Sequence, residues 1–197
     1  GNPTGRGYTK REMDDISSLA LKHNLFILSD EVYRDFIYDG EEFLSFAARE
    51  DVADKVILLE SASKRFSACG ARVGFLATKN KDVYEGLLKM AQTRLSISYV
   101  DQVGAVELFK LEQDYLRSQL DEYERRRNTI CEELNKIEGV VLKKPKGAFH
   151  LLVKLPIEDS EDFIQFMLNE FTLDGETVLH SKQHGLGRTN RICVKRR

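Results

Sequence analysis

The stretch that decides the fold is Ser61-Ala62-Ser63-Lys64-Arg65-Phe66-Ser67-Ala68-Cys69-Gly70-Ala71-Arg72, which directly succeeds the apolar run Val56-Ile57-Leu58-Leu59 and Glu60. A short continuous apolar run suits a strand buried on both faces, as in parallel sheets. Just past that strand the chain places small hydroxyl residues, one lysine, a glycine and an arginine. Open α/β sheets hold ligand-contacting residues just past the carboxyl ends of their strands. Lys64 stands there as a flexible cation, and Arg72 supplies a second cation eight residues on. A similar run, Leu25 to Leu28, ends in Ser29-Asp30-Glu31. If the two runs form neighbouring strands, Asp30 and Lys64 face one crevice.

The surrounding pattern alternates helix and strand. Thr9-Lys10-Arg11-Glu12 has the form of a capping box, in which a hydroxyl and a glutamate satisfy free N–H groups at a helix start. Met13, Ile16, Leu19 and Ala20 recur at helical spacing as far as Asn24, a suitable left-handed stop. Val73–Ala77 is a further strand candidate and Lys81–Arg94 a further helix. This order predicts an α/β layer structure.

From Asp114 to Ile137 one long amphipathic helix is expected. Leu116, Leu120, Tyr123, Ile130, Leu134 and Ile137 form its stripe, with Arg127 the exception, and it ends near Gly139. The charged run Glu124-Arg125-Arg126-Arg127 reads as a solvated face, with a contact surface as the alternative. Val140–Leu142 and Ala148–Val153 read as strands joined by Lys144-Pro145-Lys146-Gly147. Ser160–Phe171 reads as a helix with Phe163, Phe166, Met167 and Phe171 on one side. Thr177–Leu179 and Arg191–Val194 are short strand candidates. Strands crossed by one helix make a compact α+β unit, so the boundary falls near residues 112 to 120, giving domains of 1–115 and 116–197. No internal repeat or low-complexity segment is present.

Composition excludes several classes. With 197 residues, the chain holds one or two domains, and 42% hydrophobic with 31% charged residues is the balance of a soluble globular protein. A net charge of -2 and a pI near 6.2 give no reason to expect nucleic acid or an anionic membrane as partner. Cys69, Cys131 and Cys193 have no metal-ligand spacing and make no even disulfide framework, which points to a reducing, cytoplasmic compartment. No apolar run approaches membrane-spanning length. His23, His150, His180 and His184 show neither triad nor metal spacing and read as core or surface residues; no metal site is expected.

A lysine just past a strand can form a Schiff base with a carbonyl when its surroundings favour the free amine. A nearby carboxylate can hold a protonated ring nitrogen, and serines with an arginine can bind a phosphate dianion. These are the requirements of pyridoxal phosphate chemistry. Each piece alone has an ordinary reading. Asp30 could cap a helix, Lys64 could be solvated, Ser-x-Ser is common in loops, and Asn2-Pro3-Thr4-Gly5 is a turn by composition.

Taken in order, these residues carry a resemblance. Gly1-Asn2-Pro3-Thr4-Gly5, Ser29-Asp30-Glu31-Val32-Tyr33, and Ser61-Ala62-Ser63-Lys64 with Gly70-Ala71-Arg72-Val73-Gly74 resemble the class I/II aminotransferases among the fold-type I pyridoxal phosphate enzymes. The intervals agree as well: 28 residues from Asn2 to Asp30, three on to Tyr33, and eight from Lys64 to Arg72. Gly147-Ala148-Phe149 and Leu173-Asp174-Gly175-Glu176-Thr177 look most like bacterial aspartate aminotransferases.

The resemblance implies an α/β fold, in which part of a large cofactor-binding domain (a mostly parallel sheet with flanking helices) precedes a small α+β C-terminal domain. It implies that Lys64 holds pyridoxal 5'-phosphate as an internal aldimine and then moves the substrate proton. Asp30 would pair with the pyridinium nitrogen, while Asn2 and Tyr33 bond the ring's phenolic oxygen. Ser61, Ser63 and Arg72 would bind the phosphate. Arg191 would clamp the substrate carboxylate bidentately, although Arg191-Ile192-Cys193-Val194-Lys195-Arg196-Arg197 also reads as an edge strand with a basic tail. The implied reaction is ping-pong exchange between an amino acid and a 2-oxo acid, with a homodimer expected for a full-length chain. A C–S lyase, an aminocyclopropane carboxylate synthase-like enzyme and a non-catalytic truncated remnant are the alternatives.

Against the family pattern, the chain starts in the middle of the large domain, so a C-terminal fragment is expected. The early strands are missing, leaving a strand edge or face open. Leu179-His180-Ser181-Lys182-Gln183-His184-Gly185 is also shorter than the family's equivalent and has neither proline nor aromatic residue.

Overall fold

The computed structural model describes residues 1–111, 113–176, 180–182 and 191–194, with side chains described for 1–111 and 114–176. The chain divides into two compact units. One comprises Gly7–Asp35 and Glu42–Ser118; the other comprises Gly1–Arg6, Phe36–Glu41 and Gln119–Arg197.

The first unit opens with helix α1 (Lys10–His23), followed by strand β1 (Ile27–Asp30), strand β2 (Val56–Ser61), the short helix α2 (Ala62–Arg65), strand β3 (Gly74–Ala77), helix α3 (Lys81–Thr93) and helix α4 (Tyr99–Phe109). The capping box of α1 forms as expected: Glu12 N donates to Thr9 Oγ1 at 3.3 Å and Thr9 N donates to Glu12 Oε2 at 2.8 Å. Asn24 ends the helix in the left-handed region at φ 52°, and Leu25 N donates back to Ala20 O at 2.8 Å. That bond explains why β1 starts at Ile27 rather than Leu25: the Leu25 amide belongs to the helix end.

β1 pairs with β2 in parallel, from Ile27 opposite Val56 to Asp30 opposite Leu59. β2 pairs with β3 antiparallel, from Leu58 opposite Ala77 to Ser61 opposite Gly74. The four-residue α2 is too short to carry the chain back along the sheet, so β3 reverses direction. Met13, Ala20, Ile27, Phe46, Val52 and Val56 form the core on one face of this sheet. The sheet is not buried on both faces: Leu28 is 66% exposed, and Phe75 and Leu76 of β3 are exposed too, in line with the open strand edge or face expected above. Helix α4 was not expected. Val100, Val103, Val106 and Phe109 are all exposed and only Ala105 is buried, so the segment has no single apolar stripe to announce it.

Helix α5 (Gln113–Asn135) leads into the second unit, which continues with β4 (Val141–Leu142), β5 (Leu151–Lys154), α6 (Ser160–Asn169), β6 (His180–Lys182) and β7 (Arg191–Val194). The four strands form an antiparallel sheet in the order β4-β5-β7-β6. Cys131, Leu151 and Val153 are its buried centre, with Ile130, Leu134, Val140, Leu142 and Leu155 packed around them. β5 begins three residues later than the run Ala148–Val153 suggests. Ala148 has φ 57°, its N–H donates to Phe36 O at 2.9 Å and its carbonyl accepts from Tyr38 OH at 2.7 Å, so it is committed to a turn. The candidate strand Thr177–Leu179 lies outside the described residues.

Arg127 overturns the expectation of a solvated Glu124–Arg127 face. It lies within the stripe of α5 and is only 6% exposed. Its guanidinium grips Asp39 through both nitrogens at 2.9 and 2.8 Å, donates to Glu124 at 2.9 Å and to Pro145 O at 3.0 Å, and lies 4.5 Å from the Tyr38 ring centroid. Holding the inward register of the helix forces the charge inside, and a buried charge needs partners. Arg125 and Arg126 do stay at the surface, both paired with Glu122.

Candidate active site

Because β1 and β2 are parallel neighbours, Asp30 and Ser61 leave the sheet at the same edge. Glu31 N extends the pairing by donating to Leu59 O at 3.0 Å. Asp30 is exposed there. Its Oδ1 accepts the Val32 N–H at 3.3 Å, an Asx turn, and Oδ2 accepts no hydrogen bond from the described residues. Tyr33 comes next, half-buried, in the same turn.

Ser61 caps α2. Its Oγ accepts from Ser63 N at 3.1 Å, and lies 2.9 Å from Ser63 Oγ and 3.1 Å from Val73 O. Lys64 is half-buried on this helix, and its ammonium has no hydrogen-bond or ion-pair partner among the described residues. The next residue is the opposite case: Arg65 pairs with Asp35 at 3.4 Å and stacks on Phe66 and Phe109. Arg72 adopts φ 56° and donates to Cys69 O at 3.0 Å, with no carboxylate partner among the described residues. A left-handed non-glycine residue costs on the order of 1 kcal/mol, and such strain gathers at functional sites. At Gly74 a Cβ would lie 3.0 Å from Glu60 O and 3.7 Å from Ser61 Cβ, so glycine lets β3 lie close against the end of β2.

Two buried carboxylates support this edge. Glu31, 4% exposed, accepts from Ser29 Oγ at 2.9 Å, from Ser45 Oγ at 2.8 Å and from Phe46 N at 3.2 Å. Glu60, 5% exposed, accepts from Ser61 N at 2.9 Å, while its other oxygen has no hydrogen-bond partner among the described residues; burial pushes its carboxyl up from the usual range. Neither residue was expected at the site from sequence. The signal available was strand parity, since Ile27, Ser29 and Glu31, like Val56, Leu58 and Glu60, alternate onto one face.

Asn2 belongs to the other unit. Its turn is closed by Gly5 N donating to Gly1 O at 2.8 Å, and Gly5 O accepts from Lys146 N and Gly147 N, both at 2.9 Å. Gly5 has φ 62°, and a Cβ there would lie 2.2 Å from Pro145 Cβ, so no other residue fits. Arg191 is the first residue of β7, opposite Lys154; its side chain lies outside the described residues. The fold therefore gathers Asp30, Tyr33, Ser61, Ser63 and Lys64 at one sheet edge, with Arg72 closing the loop back to β3. A cavity of about 360 Å³ in the second unit is lined by Tyr38, Tyr123, Arg127, Phe149 and His150 among others, and by none of the candidate set. Among the described residues no group of three or more His, Cys, Asp or Glu could hold a metal ion, and no helix is long and apolar enough to cross a membrane.

Residues 1–194 match the family model for aminotransferase class I and II. The chain belongs to that family. An aspartate aminotransferase from Bacillus sp. (strain YM-2) is 36% identical over 153 residues, covering 77% of this chain and 39% of that protein. Aromatic-amino-acid aminotransferase 2 of Thermococcus litoralis is 33% identical over 174 residues, covering 86% of this chain and 44% of its own length. The crystal structure of the Thermotoga maritima aspartate aminotransferase superposes with a TM-score of 0.84 at 27% identity, over 98% of this chain and 49% of that one. This class I and II aminotransferase chain thus spans less than half the length of these relatives.

Proposed function

We propose that this chain carries the lysine side of a pyridoxal phosphate-dependent aminotransferase site of aspartate type, which exchanges an amino group between an amino acid and a 2-oxo acid. The observation that carries the reading is that, among the described residues, the Lys64 ammonium has no partner and Asp30 Oδ2 accepts no hydrogen bond, at the sheet edge the two share. The residue set fits the cofactor: an amine without an ion-pair partner, hydroxyls and a guanidinium for a phosphate, and a carboxylate for a ring N–H. When bound, pyridoxal phosphate supplies an aldehyde for the amine and an electron-withdrawing protonated ring.

In this reading Lys64 holds the cofactor and carries the proton to and from the substrate α-carbon. Asp30 keeps the ring nitrogen protonated. Ser61, Ser63 and Arg72 hold the phosphate. The roles of Asn2 and Tyr33 at the phenolic oxygen, and of Arg191 at the substrate carboxylate, rest on the motifs. Residues 1–115 would be the C-terminal part of a large domain and 116–197 a small domain, within a longer homodimeric polypeptide. A cytoplasmic location agrees with the free thiols of Cys69 and Cys131.

Titration of the chain with pyridoxal phosphate tests the reading. A visible absorbance band that appears with the wild-type chain and is lost in Lys64→Ala supports it; a band of equal strength in both would sink the assignment of the lysine.

A further inference from the structure

Asp30 is an exposed residue at the end of β1, yet the proposed chemistry needs its carboxylate held to a fixed place. The side chains on either side of it are tied down. Ser29 Oγ donates to Glu31 Oε1 at 2.9 Å, so residues 29 and 31 are joined across Asp30. Glu31 then reaches into a second segment. Ser45 Oγ lies 2.8 Å from both of its carboxylate oxygens, and the Phe46 N–H donates to Oε1 at 3.2 Å. Phe46 itself is buried in the core of the first unit with Met13, Ile27 and Val56. The Ser45 hydroxyl also caps the turn Phe46–Ala48 by accepting from Ala47 N at 3.1 Å. On the backbone side, Glu31 N donates to Leu59 O at 3.0 Å and Glu31 O accepts from Arg34 N at 2.9 Å.

The geometry points to Glu31 as the positioning residue for Asp30: its buried carboxylate, clasped by Ser29, Ser45 and Phe46, aims the Asp30 carboxylate at the cofactor ring. This rests on the functional reading above and goes beyond it, since Glu31 touches no reacting atom. One buried carboxyl group takes three bonds, at 2.9, 2.8 and 3.2 Å, from two segments of chain. The turn is thereby referred to the core instead of being left to solvent. Asp30 Oδ1 is then spent on Val32 N, and Oδ2 accepts no hydrogen bond among the described residues.

The mechanism predicts coupling, because Glu31 acts only through Asp30. Pyridoxal phosphate affinity is measured by equilibrium titration for the wild-type chain, Glu31→Ala, Glu31→Gln, Asp30→Asn and the Asp30→Asn/Glu31→Ala double variant. Glu31→Ala should weaken binding at least tenfold. Glu31→Gln, whose amide oxygen can accept the Ser29, Ser45 and Phe46 bonds, should stay within threefold of wild type. The double variant should bind no more weakly than Asp30→Asn alone. Additive losses in the double variant, or wild-type affinity in Glu31→Ala, would overturn the assignment.

A wild-type chain that does not bind pyridoxal phosphate would defeat the cofactor reading itself. The clasp is then judged in the unloaded chain by hydrogen exchange at the Val32 amide, which Asp30 holds. Faster exchange in Glu31→Ala but not in Glu31→Gln would support the positioning role, and unchanged exchange in Glu31→Ala would overturn it.

Discussion

Arg127 and Lys64 are both cations drawn out of full solvent exposure, and they are treated in opposite ways. Arg127 is surrounded: Asp39, Glu124 and the Pro145 carbonyl take its N–H groups while the Tyr38 ring covers its face. Lys64 has none of this among the described residues, although Arg65 beside it is paired with Asp35. A planar guanidinium with five donors can be fully satisfied and made structural. A lysine kept apart from carboxylates has no ion pair to give up when a ligand takes its amine. Position on the chain does not distinguish them, since each lies on a helix close to other cations. The partners do.

The difference can be broken experimentally. The largest effect is expected at the paired cation. Arg127→Ala removes the guanidinium from Glu124 and leaves Asp39 only the longer Lys144 pair at 3.7 Å, opens a space under Tyr38, and should cost about 3 kcal/mol in urea unfolding, the lower end for breaking a buried pair because Asp39 is partly exposed. A loss below about 1 kcal/mol would show the cluster to be ornamental.

Next is Tyr38→Phe, which keeps the ring over Arg127 but removes the bond to Ala148 O. Leaving that buried carbonyl unsatisfied should cost about 1–2 kcal/mol, read as a fall in Tm.

Glu60→Gln probes the site edge. Burial raises the carboxyl above its usual 4.5, so the folded state holds this proton more tightly than the unfolded chain. Its contribution to stability is full below pH 4.5 and is lost as pH rises through the raised value. Relative to wild type, Glu60→Gln should therefore gain stability between pH 5 and 8, a window of about three units, and show a flatter pH profile. A parallel profile would contradict the assignment.

The smallest stability effect belongs to the unpaired cation. Lys64→Ala should change unfolding free energy by less than about 0.5 kcal/mol, as for a surface substitution. A large loss would reveal a structural partner and remove the contrast.

Local features of this fold were legible in the sequence. The Thr9 capping box, the Asn24 stop and the placement of Asp30 at the end of one parallel strand and Lys64 just past the other each depend on residues within a few positions of one another. What was missed depends on distance along the chain. The burial of Arg127 requires Asp39, 88 residues away, and the clasp on Glu31 requires Ser45 and Phe46, 14 and 15 residues away. Helix α4 escaped because apolar residues on every side give no period to read. The apolar run around Leu28 does not by itself say which neighbour covers it, so which side chains lie open is read only from the fold. Side-chain parity would have shown that Glu31 and Glu60 turn inward, but only the fold shows what receives them.

The central claim is that Lys64 is the amine that captures the cofactor. It is tested most directly by borohydride reduction of the chain with bound pyridoxal phosphate, followed by peptide mass spectrometry. The prediction is a single stoichiometric phosphopyridoxyl adduct on Lys64, with Lys79, Lys81 and the other lysines unmodified. An adduct spread over several lysines, or concentrated on one other than Lys64, would contradict it.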